Sequence, residues 1–219
     1  MFEFFALVAV FVASVSVPAI PPAPPTWEGV FGEVQSHELF RDLKVSYAVW
    51  PQADMPAPLF VIEKEGFDCE VVMSDNPGPE LDLVMTLAAN PVVKKAFMAA
   101  FAAHEFGHCL RARTSTAIGE ARAAYVANPE SAQALQYLES TSSLDEALSD
   151  AYALVYTQAT HPELFHEVLA AMYALRHEPK FVNAFYQVHP LYEEVARAGV
   201  DTTLPLEARA DALMQRSKF

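Results

Sequence analysis

The chain is organised around residues 99–110, which read Ala99-Ala100-Phe101-Ala102-Ala103-His104-Glu105-Phe106-Gly107-His108-Cys109-Leu110. This stretch and its flanks are rich in Ala, Leu, Met and Phe, and no Pro occurs between Val92 and Asn128, which is typical of a helix. Asn90 followed by Pro91 is a typical helix start, because Asn caps the first turn and Pro lacks only an N–H that would be unpaired there. We therefore predict a long helix that begins at Pro91.

Two histidines and a glutamate in this helix form an HExxH motif. His104 and His108 are one turn apart on one face, with Cβ atoms about 5–6 Å apart. That separation suits two imidazole nitrogens that bind one zinc ion at about 2.0–2.1 Å each. Glu105 lies about 100° around the helix, where its carboxylate would flank the metal and accept a proton from a water molecule. The pattern predicts His104 and His108 as metal ligands and Glu105 as the catalytic base.

A more ordinary interpretation is that both histidines belong to the core of a buried helix, with Glu105 at its solvent edge. A buried helix gains little from two imidazoles that each need a hydrogen-bond partner, so this interpretation is disfavoured.

A catalytic zinc site needs a third protein ligand, and the segment 142–152 offers one. Glu146 and Asp150 are four residues apart, so both point the same way on a helix. We predict that Glu146 binds the metal and that Asp150 accepts a hydrogen bond from the free ring N–H of a zinc-bound histidine.

Three alternatives to this assignment stay open. Asp145 or Asp150 could be the ligand instead of Glu146. Glu207 and Asp211 have the same spacing, although they lie near the C-terminus. Ser143 and Glu146 also match a capping box, so a helix could begin there for reasons unrelated to a metal.

HExxH followed by ExxxD resembles the gluzincin group of zinc metallopeptidases, which includes thermolysin. The resemblance covers His104, Glu105, His108, Glu146 and Asp150 and the two helices that carry them. It implies one Zn²⁺, hydrolysis of a peptide or protein substrate, and a strand edge that holds the substrate backbone, for which residues 67–73 are the candidate. The alternative for residues 67–73 is a plain core strand. The separation of the two motifs is longer than in thermolysin-like enzymes and fits bacterial members with an inserted helix.

The metzincin class is excluded. Its pattern needs Gly at position 111 and His at position 114, where this chain has Arg111 and Thr114.

Composition limits the function classes further. A chain of 219 residues with 53% hydrophobic and 19% charged residues is typical of a globular protein with one sizeable core. The net charge of −14 and the lack of a basic stripe argue against a nucleic-acid partner. The rivals to a peptidase are a non-catalytic, zinc-stabilised binding or regulatory module and a metal-free helical interaction protein.

The first 25 residues differ in composition from the rest of the chain. Residues 4–17 form an apolar run with the length of a signal-peptide core, and residues 18–25 form a Pro-rich linker, although Glu3 is acidic and no Lys or Arg precedes the run. We expect residues 1–25 to be a leader or membrane anchor and residues 26–219 a single metallopeptidase-like domain. The protein would then be exported, periplasmic or secreted, or tethered to a membrane through residues 4–17. The alternative is an apolar strand or helix that packs on the domain.

Two cysteines leave two possibilities. In an oxidising compartment Cys69 and Cys109 could form a disulfide that ties a strand to the helix with the histidines. In the cytosol both would be small buried hydrophobic residues.

The predicted fold class is α+β. Residues 43–50 alternate as a half-buried strand, and residues 58–64 and 67–74 form a possible hairpin around Glu65-Gly66. Residues 80–87 are ambiguous. From Pro91 onward we expect a helical bundle that carries the zinc site, with further helices at about 129–139, from 142 or 143, at 160–177, 181–188, 191–198 and 205–216. A small N-terminal antiparallel sheet should precede this bundle.

Overall fold

A computed structural model describes residues 26–51, 59–62, 64–75, 86, 90–177 and 189–217. The N-terminal part holds one helix and three strands: α1 (Trp27–Gln35), β1 (Val45–Trp50), β2 (Leu59–Ile62) and β3 (Cys69–Ser74). The rest is helical: α2 (Pro91–Thr114), α3 (Ala117–Ala127), α4 (Ala132–Thr160), a 3₁₀ turn (Pro162–Leu164), α5 (Phe165–His177), α6 (His189–Ala198) and α7 (Leu206–Ser217). The predicted α+β class is confirmed.

The sheet differs from the expectation in its strand directions. Its order is β1-β3-β2, with β1 parallel to β3 and β2 antiparallel to β3, so it is mixed rather than wholly antiparallel. The β2–β3 hairpin was predicted, and Gly66 takes a φ of 80° in its turn, a conformation that favours glycine. Since β3 is the central strand, it has no free edge. The prediction that residues 67–73 receive a substrate strand is therefore wrong.

Helix α1 was not predicted, because Gly29 and Gly32 lower the helix propensity of a segment that otherwise looked β-rich. The Thr26 side chain caps the helix by accepting a hydrogen bond from the Gly29 N–H. Phe31 packs edge-on against Phe106 of α2, with ring centroids 5.5 Å apart, and this contact brings α1 onto the metal-motif helix.

Helix α4 runs without a break from Ala132 to Thr160. Its cap is Ser131, whose side chain accepts from the Ala134 N–H, so the expected helix start at residue 142 or 143 is wrong. Ser and Thr in this region bond to carbonyls of the preceding turn instead, as the Thr141 hydroxyl does to Tyr137 at 2.7 Å. Glu146 therefore lies in mid-helix, and the capping-box explanation for it is excluded.

The chain between the two motifs forms a helical hairpin at the surface. Residues 117–140 comprise α3, the connection 128–131 and the first nine residues of α4, and within them Ala121 alone is buried. This segment separates the two motifs along the chain. It contributes little to the core.

A disulfide joins Cys69, at the start of β3, to Cys109 of α2, with Cα atoms 5.3 Å apart. Both residues are fully buried. Of the two predicted possibilities, the structure has the bridged one. It links the sheet covalently to the residue that follows His108.

No helix among the described residues has the length and apolar character needed to cross a membrane. The apolar run at 4–17, the linker at 18–25 and the segments 80–85 and 181–188 lie outside the described residues.

Helices α2 and α4 cross closely at Gly107. A Cβ at this position would lie 2.7 Å from the Cα of Ser149, a contact that only backbone movement can relieve. Glycine is therefore required here by the helix contact.

We predict that Gly107→Ala lowers the free energy of unfolding by about 1–3 kcal/mol, because the methyl group overpacks the crossing. Chemical denaturation would measure this change. The matched control is Gly32→Ala in α1, where a Cβ meets nothing within 4 Å and the substitution should leave stability unchanged or raise it. Equal stability of Gly107→Ala and the parent would contradict the close crossing.

Candidate metal centre

The two predicted motifs meet where α2 crosses α4. Helix α2 supplies His104, Glu105 and His108, and α4 supplies Glu146 and Asp150. His104, His108 and Glu146 form the one group among the described residues whose ligand atoms lie close enough to share a metal ion. The predicted ligands are thus brought together.

The spacing of the ligand atoms fits one ion. The Nε2 atoms of His104 and His108 are 3.0 Å apart. The Glu146 carboxylate has Oε2 at 3.5 Å from Nε2 of His104 and Oε1 at 3.6 Å from Nε2 of His108. Three ligands at about 2.0–2.1 Å from one tetrahedral ion would be about 3.3–3.4 Å from one another. The observed triangle is close to this arrangement.

Each histidine is oriented by a carboxylate of α4. Nδ1 of His104 donates to Oδ1 of Asp150 at 2.8 Å, as predicted. Nδ1 of His108 donates to Oδ2 of Asp145 at 2.9 Å, and the Ser149 hydroxyl lies 3.0 Å from the same nitrogen. Because an ionised carboxylate only accepts hydrogen bonds, Nδ1 carries the proton in both rings. The Nε2 atoms, which face each other, are then the nitrogens that can bind a metal ion.

The 3.0 Å contact between the two Nε2 atoms needs a cation, which is either a metal ion bound by both nitrogens or a proton on one of them. Oε2 of Glu146 is buried without a hydrogen-bond partner, and a metal ion bound there would satisfy it. The charge balance also favours a cation. Burial alone would lower the pKa of His108, but Glu146 and Asp145 outweigh it and raise that pKa to about 9. The donor set therefore fits a metal ion.

Glu105 is buried beside the ligands, with 5% of its surface exposed. Burial raises its pKa above the ordinary value for glutamate, while the nearby His104 and His108 offset part of this effect. A carboxylate whose pKa is shifted towards neutrality is a better proton acceptor at neutral pH than an exposed one. The position predicted for the base is therefore chemically suitable.

Two further helices contribute residues that sequence analysis missed. Arg176, the penultimate residue of α5, forms a two-pronged ion pair with Asp150. Tyr192 of α6 donates its hydroxyl to Oδ2 of Asp150 at 2.9 Å. Burial would raise the pKa of Asp150, but the charge of Arg176 and the hydrogen bond from His104 hold it well below its usual range. Asp150 is therefore a fixed anion.

The alternatives are resolved by these positions. Asp145 and Asp150 contact the Nδ1 atoms, on the side of each ring away from Nε2, so neither takes the place of Glu146. Glu207 and Asp211 lie on α7 and are not part of the metal group found among the described residues. Asp145 had one signal in the sequence, its place next to Glu146. Arg176 and Tyr192 had none, since no fixed spacing relates them to either motif.

Comparisons with known protein families, with curated proteins and with solved structures found no match to this chain. Function is therefore inferred from the geometry of the site.

Proposed function

We propose that the protein hydrolyses peptide bonds with one Zn²⁺ ion held by His104, His108 and Glu146. The observation that carries this proposal is the convergence of these three side chains at 3.0–3.6 Å, with buried Glu105 next to them. Three protein ligands leave a fourth position open for water or substrate, which is typical of catalytic rather than structural zinc sites.

Each group at the site would have its own role in the reaction. A bound Zn²⁺ would polarise the scissile carbonyl and lower the pKa of a coordinated water to about 7. Glu105 would accept a proton from the attacking water and pass it to the leaving amine. Asp150 and Asp145 would keep His104 and His108 in the tautomer that directs Nε2 to the ion. No covalent bond between enzyme and substrate is needed.

The site also supports a proposal about substrate class. A peptide or an unfolded protein is the proposed substrate because the HExxH and ExxxD motifs, here brought to one site, resemble those of zinc metallopeptidases. A metal-loaded protein that cleaves no peptide library would instead be the binding or regulatory module.

We predict that protein purified without added metal holds close to one Zn²⁺ per chain and that His104→Ala holds almost none, because two remaining ligands do not retain the ion. Elemental analysis measures this directly. The matched control is His166→Ala, which removes an exposed imidazole of α5 and should leave the zinc content unchanged. Parent protein without metal would refute the proposal, and the chain would then be a metal-free helical protein.

We also propose that the protein works in an oxidising compartment, outside the cytosol. The Cys69–Cys109 disulfide supports this location, since such bonds persist mainly in exported proteins. Fractionation of the source cells tests it, and recovery of reduced protein in the cytosolic fraction would refute it.

A further inference from the structure

Two side chains from outside the motif helices contact Asp150 on α4, and one of them also contacts Glu146. Arg176 donates from Nε to Oδ2 of Asp150 at 2.9 Å and from Nη2 to Oδ1 at 2.7 Å. The same Nη2 lies 3.2 Å from Oε2 of Glu146, an ion-pair contact that lacks hydrogen-bond alignment. Tyr192 donates to Oδ2 of Asp150 at 2.9 Å.

These contacts are almost completely removed from water. The Asp150 side chain is 0% exposed and that of Arg176 is 10% exposed. Tyr192 is also buried and packs edge-on against Tyr173, with ring centroids 5.8 Å apart. Inside a protein, charged hydrogen bonds are less screened than at a surface, so this network can fix orientations firmly.

We propose that Arg176 and Tyr192 are positioning residues for the metal centre. Together they fix the orientations of Asp150 and Glu146, so that the metal site depends on helices α5 and α6 as well as on the two motif helices. The inference rests on the proposed function, because it assumes that Glu146 binds the ion.

The planar guanidinium of Arg176 explains how this works. Glu146 and Asp150 are one helical turn apart and both negative, so they repel each other and would separate if nothing lay between them. The fork of Arg176 engages both oxygens of Asp150 and so fixes the rotation of its carboxylate, with Oδ1 facing His104. Its Nη2 contact with Glu146 then holds that carboxylate near the histidines.

A second observation assigns Tyr192 the same role. Oδ2 of Asp150 accepts from both Arg176 Nε and the Tyr192 hydroxyl, whereas Oδ1 accepts from His104 and Arg176. Arg176 thus binds both oxygens, while His104 binds only Oδ1 and Tyr192 binds only Oδ2. Loss of the Tyr192 hydroxyl leaves Oδ2 with one partner and makes rotation of the carboxylate easier.

The charge of Arg176 and its proposed positioning role predict opposite effects on metal binding when Arg176 is removed. As a plain positive charge, Arg176 repels a metal ion nearby, so its removal would tighten metal binding. As a positioning residue, its removal would weaken binding by about 10- to 100-fold, as is typical for residues that orient metal ligands. Whether metal binding weakens or tightens therefore tests the proposal.

The experiment measures Co²⁺ binding, with Co²⁺ alone as the probe. Its dissociation constant and visible absorption spectrum would be compared for the parent, Arg176→Met, Arg176→Lys and Tyr192→Phe. Arg176→Lys retains the charge but loses the fork. We expect both Arg176 variants to bind Co²⁺ about 10- to 100-fold more weakly with an altered spectrum, and Tyr192→Phe to change in the same direction by less.

Two controls remove similar groups elsewhere. Arg216→Met breaks a partly buried ion pair with Glu194, and Tyr156→Phe removes the hydroxyl of another buried tyrosine. Both should bind Co²⁺ like the parent. If circular dichroism shows that Arg176→Met is unfolded, Arg176→Lys and Tyr192→Phe still test the proposal.

Unchanged or tighter Co²⁺ binding by the folded Arg176 variants would overturn the proposal. Parent protein that binds no Co²⁺ would overturn both this inference and the proposed function. Parent protein that binds Co²⁺ but cleaves no peptide, with weakened Arg176 variants, would refute only the proposed hydrolysis.

Discussion

The Glu105→Gln variant should keep its metal ion and lose hydrolysis by about 10²- to 10⁴-fold, the contribution typical of a general base. The amide has nearly the shape of the carboxylate, so the buried site should retain its packing. It cannot accept the water proton, however. Glu105 is not a member of the ligand group, so zinc content should remain at the parent level. Initial cleavage rates on a peptide library, with elemental analysis of the same samples, measure both quantities.

The control for this variant is Glu167→Gln, which neutralises an exposed glutamate on α5 and should cleave at the parent rate. A Glu105→Gln protein that cleaves as fast as the parent would show that another group takes the proton. Loss of zinc from Glu105→Gln would instead show that Glu105 holds the ion.

Replacing both Cys69 and Cys109 by Ala should lower the free energy of unfolding by about 4 kcal/mol. The bond closes a loop with a sequence separation of 40 residues. The chain-entropy relation for a loop of that size gives about this value, because the unfolded chain regains the freedom that the bond removes. A domain of this size is usually stable by about 5–15 kcal/mol, so the loss is a large part of the total.

Urea denaturation of the double variant measures this loss. Parent protein reduced by a dithiol is the matched control, since it keeps both sulfur atoms and should lose a similar amount. A change below about 1 kcal/mol in both samples would mean that the bond contributes little beyond the packing of β3 on α2.

The inner part of the site was predictable because helix geometry fixes the spacing of its residues. His104 and His108 share a face whenever their segment is helical, and the same holds for Glu146 and Asp150. Local rules also located the start of α2 at Asn90-Pro91 and the turn at Gly66.

The remaining features depend on long-range packing, which no local pattern encodes. Whether α5 and α6 bring Arg176 and Tyr192 to Asp150 is decided by how whole helices pack. The pairing of β1 parallel to β3 joins strands that are distant along the chain, so the sequence of either strand does not specify it. In α4, Ser143 is a good cap by type, but the segment around it contains no Pro or Gly to end a helix.

The surface hairpin of residues 117–140 bears on how such a site can diverge over time. The two halves of the centre are held together by helix contacts, and within the hairpin between them Ala121 alone is buried. Doubling the length of a flexible connection costs only about 0.6 kcal/mol in closure entropy. Insertions and deletions in this segment are therefore close to neutral for the metal centre. The number of residues between the two motifs can therefore change at little cost to the site, whereas a side chain at Gly107 would collide with the Ser149 backbone.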